Sequence, residues 1–179
     1  MHIECMVQVV VSQTGHRGNI AWWECHTCKQ SFTGAMRTGL AEAWWARVRD
    51  AAEESAERQA AAYNLGQALH AEGKYGEAEG MFREVHGIRM RLLGAEHLET
   101  LQCAGEIALS LSRQGKHAEA EQTNREVLTL QKRVLGPEHP ETLTSAANLA
   151  ASLSQPRLAR KTEALYRPSQ RISDAGTGA

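Results

Sequence analysis

The chain of 179 residues has few aromatic side chains, few prolines and no excess of charge of either sign. Aromatic residues make up only 5%, so any core must be built mainly from Leu, Ala and Val. Four prolines and a high alanine content favour helices. With 20 basic and 21 acidic residues, the chain has no general attraction to nucleic acid or to a membrane surface, and we expect neither as a partner.

A long hydrophobic run is also missing near the start of the chain. The longest apolar stretch there, 7–11, is interrupted by a glutamine and is too short for a signal-peptide core or a membrane span. The four cysteines, Cys5, Cys25, Cys28 and Cys103, lack the spacing of a disulfide framework. We therefore predict a cytoplasmic protein.

Motifs that would indicate an enzyme are absent from the sequence. It contains no phosphate-binding loop, no G-x-S-x-G nucleophile turn and no H-E-x-x-H zinc motif. Histidine, cysteine and acidic residues are scattered and form no constellation. We predict that the protein is not an enzyme and that it needs no cofactor, with zinc as the one exception considered below.

What the chain does contain is an internal repeat with a period of 42 residues. The stretch "RLLGAEHLETL" at 91–101 returns as "RVLGPEHPETL" at 133–143. In the same register "AEGKYGEAE" at 71–79 returns as "RQGKHAEAE" at 113–121. Similarity at a fixed period of this length indicates stacked copies of one supersecondary unit.

Each unit has the sequence pattern of two helices. In the first unit Leu65 and Leu69 share one helical face, and Gly73 is placed to end that helix. A second helix follows, with an apolar stripe formed by Tyr75, Ala78, Phe82, Val85 and Ile88. Small residues recur where the two helices must approach closely, at Gly66 and at the equivalent Ala108 and Ala150.

The repeated eleven residues are predicted to form the corner between two units. Gly136 would end one helix, and Glu141 would place negative charge at the positive N-terminus of the next helix. An alternative is that His97 and His139 bind a ligand. A full period separates these two histidines, so we do not expect them to meet around one metal ion.

These residues resemble the tetratricopeptide repeat, in the 42-residue variant with "LGxEHPxTL" that occurs in kinesin light chains. The resemblance covers about residues 55–154. It implies an all-α solenoid, a right-handed superhelix of antiparallel helix pairs whose concave groove binds extended peptides or partner helices. A kinesin light chain also has a long heptad coiled coil before its repeats, and nothing before Ser55 supplies one, so we do not predict a motor subunit.

The resemblance also indicates which residues would bind the partner. In the family, an asparagine on the first helix of each unit holds the peptide backbone. The matching positions here are Asn64, Glu106 and Asn148, so a glutamate interrupts the asparagine series. We predict a peptide-binding groove at these three residues. The alternative for the two asparagines is an ordinary solvated or helix-capping role.

The carboxylate clamp with which co-chaperone repeats bind chaperone tails is missing. That clamp consists of a lysine and an asparagine on the first helix. The matching positions are Tyr63 and Gln67, Gly105 and Leu109, and Ala147 and Ala151. We therefore predict a protein or peptide partner that is not a chaperone C-terminus.

The repeat register divides the chain into six parts. They are an irregular or hairpin segment with a C-x-x-C knuckle (1–34), an N-terminal capping helix anchored by Trp44 and Trp45 (35–54), repeat 1 (55–96), repeat 2 (97–138), a degenerate repeat 3 (139–172) and a disordered tail (173–179). The third repeat is degenerate because Pro156 and Arg157 replace Gln114 and the turn glycine Gly115, and Pro168 falls within its second helix. Its short, decayed form suggests a fragment of a longer repeat protein.

Cys25 and Cys28 form a C-x-x-C pair whose two thiolates could share one zinc ion. A structural zinc site needs two further ligands. The candidates are Cys5 and one of His2, His16 and His26. The other interpretations are thiols without a metal and a redox pair, although no thioredoxin-like pattern surrounds them.

Cys5 would approach this pair if Val7–Ser12 and Ile20–Glu24 formed a hairpin, and the sequence of both stretches allows one. A formed zinc site would favour a different function. The protein would then be an adaptor whose N-terminal segment binds the partner, while the repeats are structural.

Overall fold

The computed structural model of the protein describes residues 3–25 and 27–154, apart from the side chains of 15–19. Its helices are α1 (Ile3–Arg17), the 3-10 helix η1 (Gly18–Trp22), α2 (Gly34–Val48), α3 (Ala56–Ala71), α4 (Tyr75–Leu93), α5 (Leu98–Arg113) and α6 (His117–Val134). Residues 140–154 are also helical and are called the 140–154 helix below. The second helix of repeat 3 and the tail fall outside the described residues.

Each helix from α2 to α6 packs on the next one along the chain. Within the described residues the only β feature is a single bridge between Glu24 and Ser31. The predicted all-α solenoid is therefore confirmed. Both members of the α3–α4 pair begin 42 residues before their counterparts in the α5–α6 pair, so the sequence period is also the structural period. None of the helices in the described part is long and apolar enough to cross a membrane.

The first helix of each unit begins at a side chain that caps it. Ser55 Oγ accepts a hydrogen bond from the backbone N–H three residues on, at 3.4 Å. The Nδ1 atoms of His97 and His139 accept from the N–H groups two residues on, at 3.3 and 3.2 Å. These bonds satisfy N–H groups that have no partner inside the helix. The repeated histidines thus have a structural role as N-caps of the helices that follow them.

Replacing His97 with alanine should lower the free energy of unfolding by about 1 kcal/mol, because the cap of α5 is lost. A serine at this position should retain most of the stability, since Ser55 caps the equivalent helix of the preceding unit. Urea denaturation followed by circular dichroism measures both variants. Equal stabilities for the alanine and serine variants would contradict the capping role.

Glycines end the helices at equivalent places in the two units. Gly73, Gly94, Gly115 and Gly136 have φ angles of 81°, 88°, 82° and 91°. Side chains with a Cβ rarely adopt this left-handed region, so glycine is the residue that allows the chain to turn there. The corner predicted from the repeated sequence is formed by two of these turns.

Gly66 of α3 lies directly against Phe82 of α4. A Cβ atom at this position would lie 2.8 Å from Cε1 of Phe82, whose ring is fully buried. Such a distance is too short for an unstrained contact. The small residue predicted at this crossing is therefore required by the phenyl ring opposite.

The variant Gly66→Ala should be less stable than the wild type, by up to about 2.5 kcal/mol. Overpacking against Phe82 costs about 1–3 kcal/mol, and the better helix propensity of alanine returns about 0.5–1 kcal/mol. Gly80→Ala is the matched control, because a Cβ there meets nothing within 4 Å. Urea denaturation should show that this control gains stability, and a gain for both variants would mean that the Phe82 ring can move aside.

A buried carboxylate joins α4 to the turn between α5 and α6. Glu79 accepts hydrogen bonds from Gln114 Nε2 at 2.7 Å, Arg83 Nε at 2.7 Å and Lys116 Nζ at 3.3 Å. Burial alone would raise the pKa of Glu79. The three donors lower the pKa by more, and it lies below its ordinary value of 4.5.

The Glu79 carboxylate should make stability depend on acid pH. Because its pKa is lower in the folded state, its contribution is complete above pH 4.5 and is lost as the pH falls through the lowered pKa. Thermal unfolding measured from about pH 6 to about pH 3 should therefore show that the melting temperature falls more steeply for the wild type than for Glu79→Gln. Parallel curves for the two proteins would contradict this role.

The N-terminal segment differs from the prediction. Residues Ile3–Arg17 form one helix, so the predicted hairpin of Val7–Ser12 with Ile20–Glu24 is wrong. The valine-rich stretch has strand propensity, but Val10 and its neighbours one turn away bury one helical face against α2. Packing on a neighbouring helix outweighs the intrinsic preference of β-branched residues.

The helix α2 lies where the N-terminal capping helix was predicted, and it packs on α3. Trp44 is fully buried and stacks on Trp22, with ring centroids 5.7 Å apart and planes at 2°. Its Nε1 donates a hydrogen bond to Glu57 of α3 at 3.3 Å. Trp45 is half-buried, with the Arg58 guanidinium 5.8 Å from the centre of its ring.

Candidate binding groove

The first helices of three successive units, α3, α5 and the 140–154 helix, border a concavity of about 520 Å³. We call this concavity the groove. Its lining residues are Tyr63, Leu101, Gln102, Gly105, Glu106, Leu109, Gln131, Glu141, Thr144, Ser145 and Asn148. Its volume lies within the range of about 300–1,000 Å³ that is common for ligand pockets.

Two hydrogen bonds across the groove join neighbouring first helices. Tyr63 Oη of α3 donates to the Glu106 carboxylate of α5 at 3.3 Å. Gln102 Nε2 of α5 donates to the Glu141 carboxylate of the 140–154 helix at 2.9 Å. Both donors are neutral groups, so neither carboxylate loses its negative charge to them. The walls of the groove are thus tied together by bonds that leave it acidic.

The phenol of Tyr63 is held in its protonated form. Burial raises the pKa of Tyr63, and the nearby Glu106 carboxylate raises it further. The Tyr63 ring packs edge-on against Phe82, with centroids 5.5 Å apart. The hydroxyl that reaches Glu106 is therefore positioned by the core of the first unit.

The structure brings two of the three predicted groove residues together. Glu106 and Asn148 both line the groove. Asn64 lies elsewhere, beside Trp44 and Arg37, where α2 covers the first unit. Its Nδ2 atom donates to the Ala60 carbonyl of its own helix at 2.8 Å. The cap helix thus occupies the place that a preceding repeat would have next to Asn64.

Other groove residues were not singled out from the sequence. Gln102 and Gln131 carried no motif, and Glu141 was considered only as the start of a helix. One signal was available for Gln131, because the equivalent position of the preceding unit carries Arg89. The change from a long cation to a neutral amide is a difference between otherwise similar units that the sequence alone displays.

The cysteines do not form a recognisable metal centre. Cys5 lies exposed on α1, Cys28 is exposed and Cys25 is half-buried in a tight turn. In the part of the chain that the structure describes, no group of three or more His, Cys, Asp or Glu side chains could hold a metal ion. The candidate ligands His2, His16 and His26 have side chains outside that part. Zinc binding stays an untested alternative, and we base no function on it.

Comparisons with known proteins agree with this architecture. A profile of the tetratricopeptide repeat matches residues 57–133 and 104–167. Among solved structures, the nearly identical TPR-like repeats of a Podosopora anserina protein assigned as a kinesin light chain share 20% identity with a TM-score of 0.62, covering 99% of this chain and 77% of that chain. BtubC (BKLC) from P. vanneervenii shares 17% identity with a TM-score of 0.56, covering 99% and 80%. A search of curated proteins found no match.

Stacked helix pairs with a groove along their first helices define a helical-repeat protein. Since the profile matches more than half of the chain, the protein belongs to the tetratricopeptide repeat family. The predicted kinesin light chain-like type is confirmed by the structural relatives. At 20% identity or less these relatives show the fold alone, and their own binding properties do not transfer.

Proposed function

We propose that the protein is an interaction scaffold that binds a peptide or an extended segment of a partner protein in the groove. The observation that carries this proposal is the concavity formed across α3, α5 and the 140–154 helix. Its lining combines apolar side chains such as Leu101 and Leu109 with polar ones such as Glu106 and Asn148. Apolar contacts would supply affinity, and the polar groups would orient the peptide.

This function does not require covalent bonds to be made or broken. Tetratricopeptide repeats are interaction modules, which supports the proposal that the protein is a non-enzymatic scaffold with a protein partner. A cytoplasmic location, expected from the cysteine pattern, belongs to the same proposal. Of the three residues predicted for the groove, the proposal depends on Glu106 and Asn148, because they line the concavity.

A peptide-display screen on the immobilised full chain tests this function. The selected peptides should bind wild type and lose about tenfold or more in affinity to Gly105→Tyr, whose ring would fill the groove. A Cβ at Gly105 meets nothing within 4 Å, so the substitution should leave the helix intact. Gly80→Tyr makes the same change on the exposed side of α4 and should bind normally.

Two further variants relate the binding to the predicted residues. Asn148→Ala should weaken the selected peptides, whereas Asn64→Ala should not, because Asn64 lies outside the groove. Isothermal titration calorimetry measures both affinities. If Gly105→Tyr binds the selected peptides as tightly as wild type, the groove is not the binding surface.

A further inference from the structure

A largely buried arginine lies where α4 of the first unit packs on α5. Arg89 of α4 has only 11% of its side chain exposed. Its guanidinium donates to Cys103 Sγ and to the Glu99 carbonyl, both at 3.2 Å, and pairs with the Glu99 carboxylate at 3.1 Å. It also lies 5.5 Å from the centre of the Tyr63 ring, at cation–π distance.

One period later, the equivalent four positions are occupied differently. Arg89 is replaced by Gln131, Tyr63 by Gly105 and Cys103 by Ser145, whereas Glu99 is retained as Glu141. All four of these later residues line the groove. The space that holds a guanidinium and a ring in the first unit is therefore open in the second, and the carboxylate that neutralised the guanidinium is still present.

The open site contains hydrogen-bond acceptors and carboxylates, but none of its described lining residues is positively charged. Gln131 is 3% exposed, and its Oε1 atom is buried with no hydrogen-bond partner in the described structure. Leaving such a buried acceptor without a donor is costly. Glu141 and Glu106 add two carboxylates bonded to neutral donors, and no lysine or arginine is among the described residues that line the groove.

We propose that the groove receives an arginine side chain from the partner segment, in the place equivalent to that of Arg89. The incoming guanidinium pairs with the Glu141 carboxylate and lies against the side chains of Gln131 and Ser145, which line the same concavity. Arginine fits better than lysine because its planar fork presents several donors at once to separated acceptors. This inference rests on the proposed function, and it specifies the chemistry of the peptide that the groove selects.

The first experiment compares three peptides on the full-length chain. The probes are Ac-Gly-Ser-Arg-Ser-Gly-NH₂ and its lysine and citrulline analogues, titrated while backbone and side-chain amide resonances are recorded by NMR. The arginine peptide should bind about tenfold more tightly than the citrulline peptide, which has the same shape without the charge. Shifts should centre on the Gln131 side-chain amide and on the Gly105 backbone. Equal affinities, no saturable binding or shifts centred elsewhere would overturn the proposal.

The second experiment changes the site itself. Gln131→Arg supplies an internal guanidinium, as in the first unit, and should reduce binding of the arginine peptide about tenfold or more. Glu141→Gln removes the pairing charge, keeps the shape and should weaken the same peptide about tenfold. Glu119→Gln removes one negative charge from an exposed position on α6 and should bind like wild type. Unchanged binding to Glu141→Gln would overturn the proposal even if Gln131→Arg failed to fold.

The display screen separates failure of this inference from failure of the proposed function. Selected peptides that share an arginine and lose binding to Gly105→Tyr support both. Peptides that lose binding to Gly105→Tyr but contain no arginine would overturn the arginine site and leave the scaffold function standing. Peptides insensitive to Gly105→Tyr would overturn both.

Discussion

Replacing Phe82 with alanine is expected to lower the free energy of unfolding by about 3–5 kcal/mol. The Phe82 ring is fully buried in a core cluster shared by both helix pairs, which also contains Leu65, Leu69 and Ile107. Its removal leaves a cavity between helices whose spacing is already set by Gly66. Because globular domains are stable by about 5–15 kcal/mol, this single change would remove a large share of the total.

Removing the Phe82 ring should also weaken binding in the groove. Tyr63 packs edge-on against the Phe82 ring and donates to Glu106, so a cavity at Phe82 removes a support of one wall. Urea denaturation measures the stability, and titration with a groove peptide measures the second effect. Phe82→Leu is the conservative comparison and should cost less, because most of the volume is kept. A loss below about 1 kcal/mol for Phe82→Ala would show that the ring is not a core anchor.

The second large effect is expected at Trp44. Trp44→Ala should lower the free energy of unfolding by about 3–5 kcal/mol, because it empties the centre of the interface between α1, α2 and α3. The parallel stack with Trp22 is lost as well, and a stacked pair is worth about 0.5–1.5 kcal/mol beyond its buried area. The cap helix α2 should then separate from α3 before the repeats unfold.

The matched control for Trp44 is its neighbour. Trp45→Ala removes the same side chain from a half-buried position and should cost clearly less than Trp44→Ala. Trp44→Phe should fall between them, because it keeps an aromatic ring but loses the donor to Glu57. Hydrogen exchange of α2 and α3 amides shows whether the cap opens first. Equal losses for Trp44→Ala and Trp45→Ala would contradict the assignment of Trp44 as the anchor.

Two similar units differ in the residues that they place at equivalent positions. In the first unit the chain supplies its own cation, and Arg89 closes the site with Glu99. In the second unit Gln131 and Gly105 leave the same place open. In the proposed arginine site, differences at these few positions would turn a structural contact into a binding site.

The sequence indicated only some of the residues that line the groove. Glu106 and Asn148, which the resemblance to the family indicated, both line the concavity, and their role in binding stays a prediction. The resemblance did not indicate that Asn64 would lie beside α2. The first unit has the cap helix as its neighbour, and this neighbour is not part of the repeat pattern.

By itself, the sequence determined the all-α class, the 42-residue period, the turns at Gly94 and Gly136 and the burial of Phe82. Each of these follows from local patterns of apolar and turn residues, which return in every unit because every unit buries the same face. The tertiary structure alone decided that the valine-rich start is a helix and that Gln131, Gly105, Ser145 and Glu141 border one cavity. These features depend on which helices stack against each other, and side chains on three helices meet only after the units have packed.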